Sequence, residues 1–247
     1  MTVRLTERQS VYQQLSQLIK TDPRRVAVLA DLVIAIPLSR SLQSQDLAAN
    51  IIRDIQDQSI VQMLRRFYKN EAVTWATIYW PLLEQFLAQL DMAAYYLLMD
   101  TTEIGQGHRA LVLSLAYQHR SVPLIWQVEA GAKGHTTEQA QVELLKQLGR
   151  HFQPDRPVIF LGDSEFDGIK LQQYLTEQGW YYVCRTSPTL YVYPVGQADG
   201  FPLADLVPEP DCPEHYLDQV EFTTKHRYGP LACWLFASVN LSTPLLD

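Results

Sequence analysis

Apolar residues recur every three or four positions from Thr6 to about Leu90, as in Leu15, Leu18 and Ile19 and again in Leu47, Ile51 and Ile55, and no glycine interrupts them. That spacing predicts a helical region. Ser41 or Ser44, and further on Ser59, are candidate helix caps, the last opening a helix with Ile60, Met63, Leu64 and Phe67 on its inner face. Pro23, Pro37 and Pro81 mark helix starts or breaks, because proline lacks the amide hydrogen that a helix interior needs.

After Asp91 the period changes. Tyr95 to Met99, Ala110 to Tyr117 and Pro123 to Val128 read as short strands, with turns at Gly105-Gln106-Gly107 and His119-Arg120-Ser121 between them. The three strands predict an antiparallel meander. Thr136 or Thr137 then opens a helix to Leu148, and Glu138 places a negative charge where the helix dipole favours it. A strand at Val158 to Leu161, a helix at Ile169 to Gln178 and a strand at Trp180 to Arg185 complete the order βββαβαβ. With right-handed crossovers this order gives an α/β fold: a ribonuclease H-like mixed sheet with flanking helices. The remaining stretch, Thr186 to Asp247, is rich in proline and carries alternating segments at Gln219 to Thr224 and Leu231 to Val239, which predict a β-rich appendage. Three regions are therefore expected: residues 1–92, all-α; 93–186, the ribonuclease H-like core; and 187–247, the β-rich insertion.

Composition narrows the class. Apolar residues make up 47% of the 247-residue chain and aromatic residues 11%, enough to build sizeable cores. Met1 to Ser10 is polar, unlike a secretory signal, and the longest apolar run, Val26 to Leu38, is broken by Asp31 and Pro37, so no membrane anchor is expected. Cys184, Cys212 and Cys233 form no CxxC pair, which suits a reducing cytoplasm. The net charge of −7 argues against a general nucleic-acid binder, but it is unevenly spread. Residues 1–99 carry 10 Lys+Arg against 9 Asp+Glu, and residues 100–247 carry 10 against 18, so the acidity belongs to the second part.

Two acids there stand out. Asp100 ends the apolar strand Leu97-Leu98-Met99 and Asp163 ends Val158-Ile159-Phe160-Leu161-Gly162. The rim beyond the carboxyl ends of strands is where ligands bind in α/β sheets. If the first and fourth strands are parallel neighbours, both carboxylates reach one divalent cation, and hard oxygen ligands suit Mg2+ or Mn2+. Such a site supports phosphoryl transfer. An aspartate after a strand is also an ordinary turn residue, but two of them in a βββαβ context weaken that explanation.

The string LLMDTTEIGQGHRALVLSLAYQHRSVPLIWQVEAGAKGHTTEQ, followed by VIFLGDSEFDGIKLQQYLTEQGWYYVCR, resembles the catalytic core of insertion-sequence-four-type DDE transposases, closely over Leu97 to Arg185 and weakly on either side. The resemblance implies metal-dependent DNA strand cleavage and strand transfer. It implies Asp100 and Asp163 as catalytic residues and metal ligands, transposon ends and target DNA as partners, and a homodimer in a synaptic complex. Two departures accompany it. Where the family carries a basic residue after the second aspartate, this chain has Ser164. The family's third ligand, a glutamate in a Tyr-x2-Arg-x3-Glu-x6-Lys pattern, has no counterpart before Asp247; Glu209, Glu214 and Glu221 stand in other contexts. A transposase truncated before its third carboxylate, inactive alone, is the expectation. The alternatives are a noncatalytic DNA-binding or regulatory fragment of a transposase, and a cellular Mg2+-dependent nuclease on the same fold.

Other groups carry two readings each. Arg65, Arg66 and Lys69 either contact DNA phosphates from the second helix of a pair or form the solvated face of an ordinary helix. Cys212, His215, His226 and Cys233 have the residue types of a zinc site but irregular spacing, which favours unrelated loop and strand positions. Glu103, Glu165 and Asp167 either tune the site or, as favoured, are solvated loop carboxylates, and His108 and Arg109 either touch DNA or, equally well, are turn residues.

Overall fold

The computed structural model describes residues 2–131, 136–206, 214–223 and 227–236. Two compact units divide at residue 92, Met1–Met92 and Ala93–Asp247.

The first unit is helical: α1 (Thr2–Leu18), α2 (Pro23–Ser39), α3 (Ser44–Ala48), α4 (Asp57–Tyr68) and, after one π-helical turn at Trp75–Tyr79, α5 (Trp80–Leu87). Asp22 starts α2 by accepting the Arg24 amide at 2.8 Å, and Pro23 occupies the first turn, where its missing amide hydrogen costs nothing. Pro37 lies inside α2, and the helix ends three residues later at Arg40, which turns to φ 51°. The serine caps are not where the pattern suggests. Gln43 and Gln56 precede α3 and α4 without a side-chain cap bond, Ser44 is the first residue of α3, and Ser59 lies within α4. Ile60, Leu64 and Phe67 of α4 are buried against Leu32, Ala35 and Leu47, with Met63 partly buried beside them, so the period read from the sequence does define the inner face.

The second unit holds a five-stranded mixed sheet in the order β3-β2-β1-β4-β5, with strands Tyr95–Gly105 (β1), His108–Tyr117 (β2), Arg120–Ala130 (β3), Val158–Gly162 (β4) and Tyr181–Cys184 (β5). β1, β2 and β3 form the antiparallel meander, and β4 and β5 join it in parallel. Helices α6 (Glu138–Gly149) and α7 (Ile169–Glu177) supply the crossovers, α6 packing on β2 and β3 and α7 on β5. This is the ribonuclease H-like mixed α/β arrangement. Leu97, Leu113, Leu115, Phe160, Leu144, Leu145, Leu148, Leu171 and Leu175 are fully buried and form its core. Thr137 caps α6 by accepting the Ala140 amide at 3.2 Å.

The entry to β1 is pinned beside β4. The Tyr95 ring packs edge-on to Phe152 at 5.3 Å, Arg156 lies over its face at 5.1 Å, and its hydroxyl donates to Asp155 at 3.2 Å. The Arg156 guanidinium, bonded to the same carboxylate, holds Asp155 down at about 2.

A second, four-stranded antiparallel sheet follows in the order β7-β6-β8-β9, from Tyr191–Pro194 (β6), Phe201–Pro202 (β7), Glu214–Phe222 (β8) and Tyr228–Phe236 (β9). Val192, Leu203, Val220 and Cys233 form its small core.

Candidate functional site

Asp100 does not end β1. The strand runs five residues further to Gly105, because the hairpin turns only at Gln106, with φ 86° at Gly105, 52° at Gln106 and 70° at Gly107. What ends near Asp100 is its parallel neighbour. β4 stops at Gly162, while β1 continues with β2 alone on its other side, Asp100 lying opposite Val112.

The parallel register leads to both aspartates. Tyr95 pairs with Val158 and Leu98 with Leu161, an offset of 63 residues (158 minus 95), and Asp163 follows Asp100 by the same 63 (163 minus 100). Asp100 and Asp163 each stand two residues beyond the last pair of that register, Leu98 with Leu161, Asp100 still within β1 and Asp163 just past the end of β4. Both are exposed. By strand alternation Asp100 shares a face with Tyr96 and Leu98, opposite the face of the buried Leu97 and Met99. That face is the open one: Tyr96, Trp126 and Tyr181 on it are 42%, 43% and 68% exposed.

The loop that carries Asp163 is built tightly. Asp163 accepts the Glu165 amide at 2.8 Å through its side chain and the Phe166 amide at 3.0 Å through its carbonyl, a compact turn. Phe166 is 1% exposed, so the loop is anchored by a fully buried ring. Gly162 is required beneath it, because a Cβ there would stand 2.8 Å from the Phe166 Cβ and 3.1 Å from the Phe160 ring. Asp167 accepts the Thr186 hydroxyl at 2.7 Å. Glu165 accepts the Thr101 hydroxyl at 3.0 Å and, from Thr136, the amide at 2.6 Å and the hydroxyl at 2.8 Å. Gln141, fully buried, donates to the Thr136 hydroxyl at 3.2 Å and to the Glu165 carbonyl at 3.3 Å. At the far end of the loop Glu138 of α6 accepts the Lys170 amide at 3.2 Å, in the first turn of α7. Cys184 lies below, its thiol 3.3 Å from the Phe166 carbonyl; burial, with the nearby Asp167 and Asp163 charges, pushes it up to about 12.

Glu165 and Asp167 are thus not solvated carboxylates. Both are half-buried and held by hydroxyl groups from β1, from the start of α6 and from the segment after β5, whereas Glu103 is exposed. Their partners lie 64, 29 and 19 positions away in the chain, so no local pattern announces them. Ser164 is exposed at the position next to Asp163. Arg109 is not a turn residue either; it lies in β2 and pairs with Glu129 of β3 at 3.3 Å, while His108 begins β2 with its ring 3.0 Å from the Gln106 carbonyl.

Arg65, Arg66 and Lys69 are exposed together at the C-terminal end of α4, where positive charge also complements the helix dipole. Cys212 and His226 lie outside the described residues, as does Glu209. His215 and Cys233 sit on β8 and β9. Among the described residues no three His, Cys, Asp or Glu side chains gather closely enough to hold a metal ion. Asp100 and Asp163 offer the right kind of donor, exposed carboxylate oxygens, but only as a pair. No described helix is long and apolar enough to cross a membrane.

Residues 96–196 match a family described as the transposase DDE domain, a span that includes both aspartates. No curated protein matches the chain. Among solved structures, the crystal structure of the Mos1 strand transfer complex is similar at 14% identity and a TM-score of 0.26, over 68% of this chain and 61% of that one. The Mos1 transposase paired-end complex with the left transposon end gives 13% and 0.27, over 66% and 59%. The cryo-EM structure of a piggyBac transposase synaptic complex with hairpin DNA gives 11% and 0.39, over 92% of this chain and 54% of that one. The chain therefore spans between 54% and 61% of the length of these transposases.

Proposed function

We propose that this chain is a DNA transposase of the insertion-sequence type, acting by metal-dependent phosphoryl transfer, with Asp100 and Asp163 as the two metal ligands it contributes. The observation that carries this reading is that two exposed aspartates each lie two residues beyond the last pair of the parallel strands β1 and β4. The transposase DDE match over residues 96–196 supports it.

Asp100 and Asp163 would hold Mg2+ or Mn2+, and the chemistry such an ion would supply is activation of an attacking hydroxyl and neutralisation of phosphate charge. The chain's own part is to present two anionic oxygen donors side by side. β1 fixes one through its pairing with β2, and the Phe166-anchored turn fixes the other. Since no third ligand joins them among the described residues, we read the pair as an incomplete site with little activity by itself. The same observation favours a second reading, a noncatalytic DNA-binding fragment. In either case Arg65, Arg66 and Lys69 are the candidate phosphate contacts of the helical unit.

Fe2+ substituted for Mg2+, with ascorbate and peroxide, cuts a polypeptide close to where the ion sits. The expected cuts fall near residues 100 and 163, fade as Mg2+ is added, and vanish in the Asp100→Ala, Asp163→Ala double variant. Cuts that persist in the double variant would contradict the assignment.

A further inference from the structure

Asp163 lies beyond the last paired residue of β4, so no strand hydrogen bond fixes it in the way that Asp100 is fixed opposite Val112. Its place depends on the turn through Phe166, and the turn depends on what fastens it. Within that turn the Glu165 side chain reaches both neighbouring elements. A single carboxylate oxygen takes the Thr101 hydroxyl from β1, the residue next to Asp100, and the amide and hydroxyl of Thr136 at the start of α6. The two bonds from Thr136, at 2.6 and 2.8 Å, are short. The Thr136 hydroxyl is itself held by the buried Gln141, whose other bond goes back to the Glu165 carbonyl, so the ring of contacts closes on the turn.

We propose that Glu165 is a positioning residue for the acid pair: by tying the Asp163 turn to Thr101 and Thr136 it sets Asp163 level with Asp100. This rests on the reading of the pair as a metal site. Glu165 touches no reacting atom in this account, and its effect passes through Asp163. Outer partners that orient metal ligands are commonly worth about 10- to 100-fold in metal affinity.

The test compares the parent chain with Glu165→Ala, Glu165→Gln and Thr101→Val, Thr136→Val in two measurements, Mn2+ affinity and amide hydrogen exchange without metal. In Glu165→Ala the Mn2+ dissociation constant should rise about 10-fold or more. Exchange should quicken at the amides of positions 165 and 166, while the core amides of β1 and β2 keep their protection. The threonine double variant should move both in the same direction. Glu165→Gln keeps an acceptor oxygen for the same donors and should restore both, to within about fivefold in affinity. The proposal is overturned if Glu165→Ala leaves both measurements unchanged, if it raises exchange evenly across the sheet as a general loss of stability would, or if Gln behaves as Ala does. A parent chain that binds no Mn2+, or binds it equally well without Asp100 and Asp163, refutes the metal reading instead; the exchange data then still decide whether Glu165 holds the Asp163 turn.

Discussion

Asp31 shows what one buried charge costs and how this chain meets the cost. Its side chain, 1% exposed in the middle of α2, is met by Arg8 of α1 and, at 2.8 and 2.5 Å, by Arg53 from the segment before α4. A carboxylate buried without partners would be expelled or protonated; here two guanidinium groups satisfy it and fasten three parts of the helical unit together. Removing it leaves both arginines without their acceptor. Asp31→Ala is expected to destabilise the chain by about 3 kcal/mol, at the lower end for a broken buried pair because both arginines stay partly solvated, as measured by urea unfolding. A loss within 0.5 kcal/mol, about the size of an ordinary surface substitution, would show that the triad is incidental. At this scale the sequence was partly legible. Asp100 and Asp163 stood out because each follows an apolar run, and their chain separation turned out to equal the register offset of β1 and β4. Asp31 read only as an interruption in Val26 to Leu38, and Glu165 as a solvated acid, because what changes their meaning lies 22 to 64 residues away.

Among the elements, period was a better guide than boundary. The inner face of α4, the start of α6 at Thr137 and the order βββαβαβ all follow from spacing and capping chemistry. The ends that moved did so for tertiary reasons. β1 outruns its apolar stretch because β2 keeps pairing with it through Glu103, and polar residues suffice where one strand neighbour remains. The junction of α6 with α7 was invisible from either helix alone. Glu138, placed in the first turn of α6 by dipole logic, also reaches the Lys170 amide in the first turn of α7, and Gly168 leaves it room. A Cβ at position 168 would overlap the Glu138 carboxylate, including the oxygen that accepts the Lys170 amide, so that carboxylate would have to shift. Gly168→Ala should therefore cost about 1 kcal/mol, the size of a lost helix cap, and should speed exchange at the first amides of α7. Unchanged exchange there would mean that Glu138 relaxes without giving up its role.

For the whole molecule, the two compact units differ in composition as they do in structure, one all-helical and nearly neutral, the other sheet-based and carrying most of the negative charge. Some of the acids of the second unit have a place in this reading: two sit at the proposed metal site, and Glu165, Asp167 and Glu138 bond to groups around the loop that carries Asp163. The fold class could be read before the structure because strand order, crossover handedness and apolar period all point one way. What holds the site together could not, since it is made of contacts between elements. The most direct test of the central claim is isothermal titration of the chain with Mn2+, beside its Asp100→Ala, Asp163→Ala double variant. Binding heat in the parent that disappears in the double variant is the predicted result. Equal heat in both, or none in the parent, would contradict a metal site built on these two aspartates.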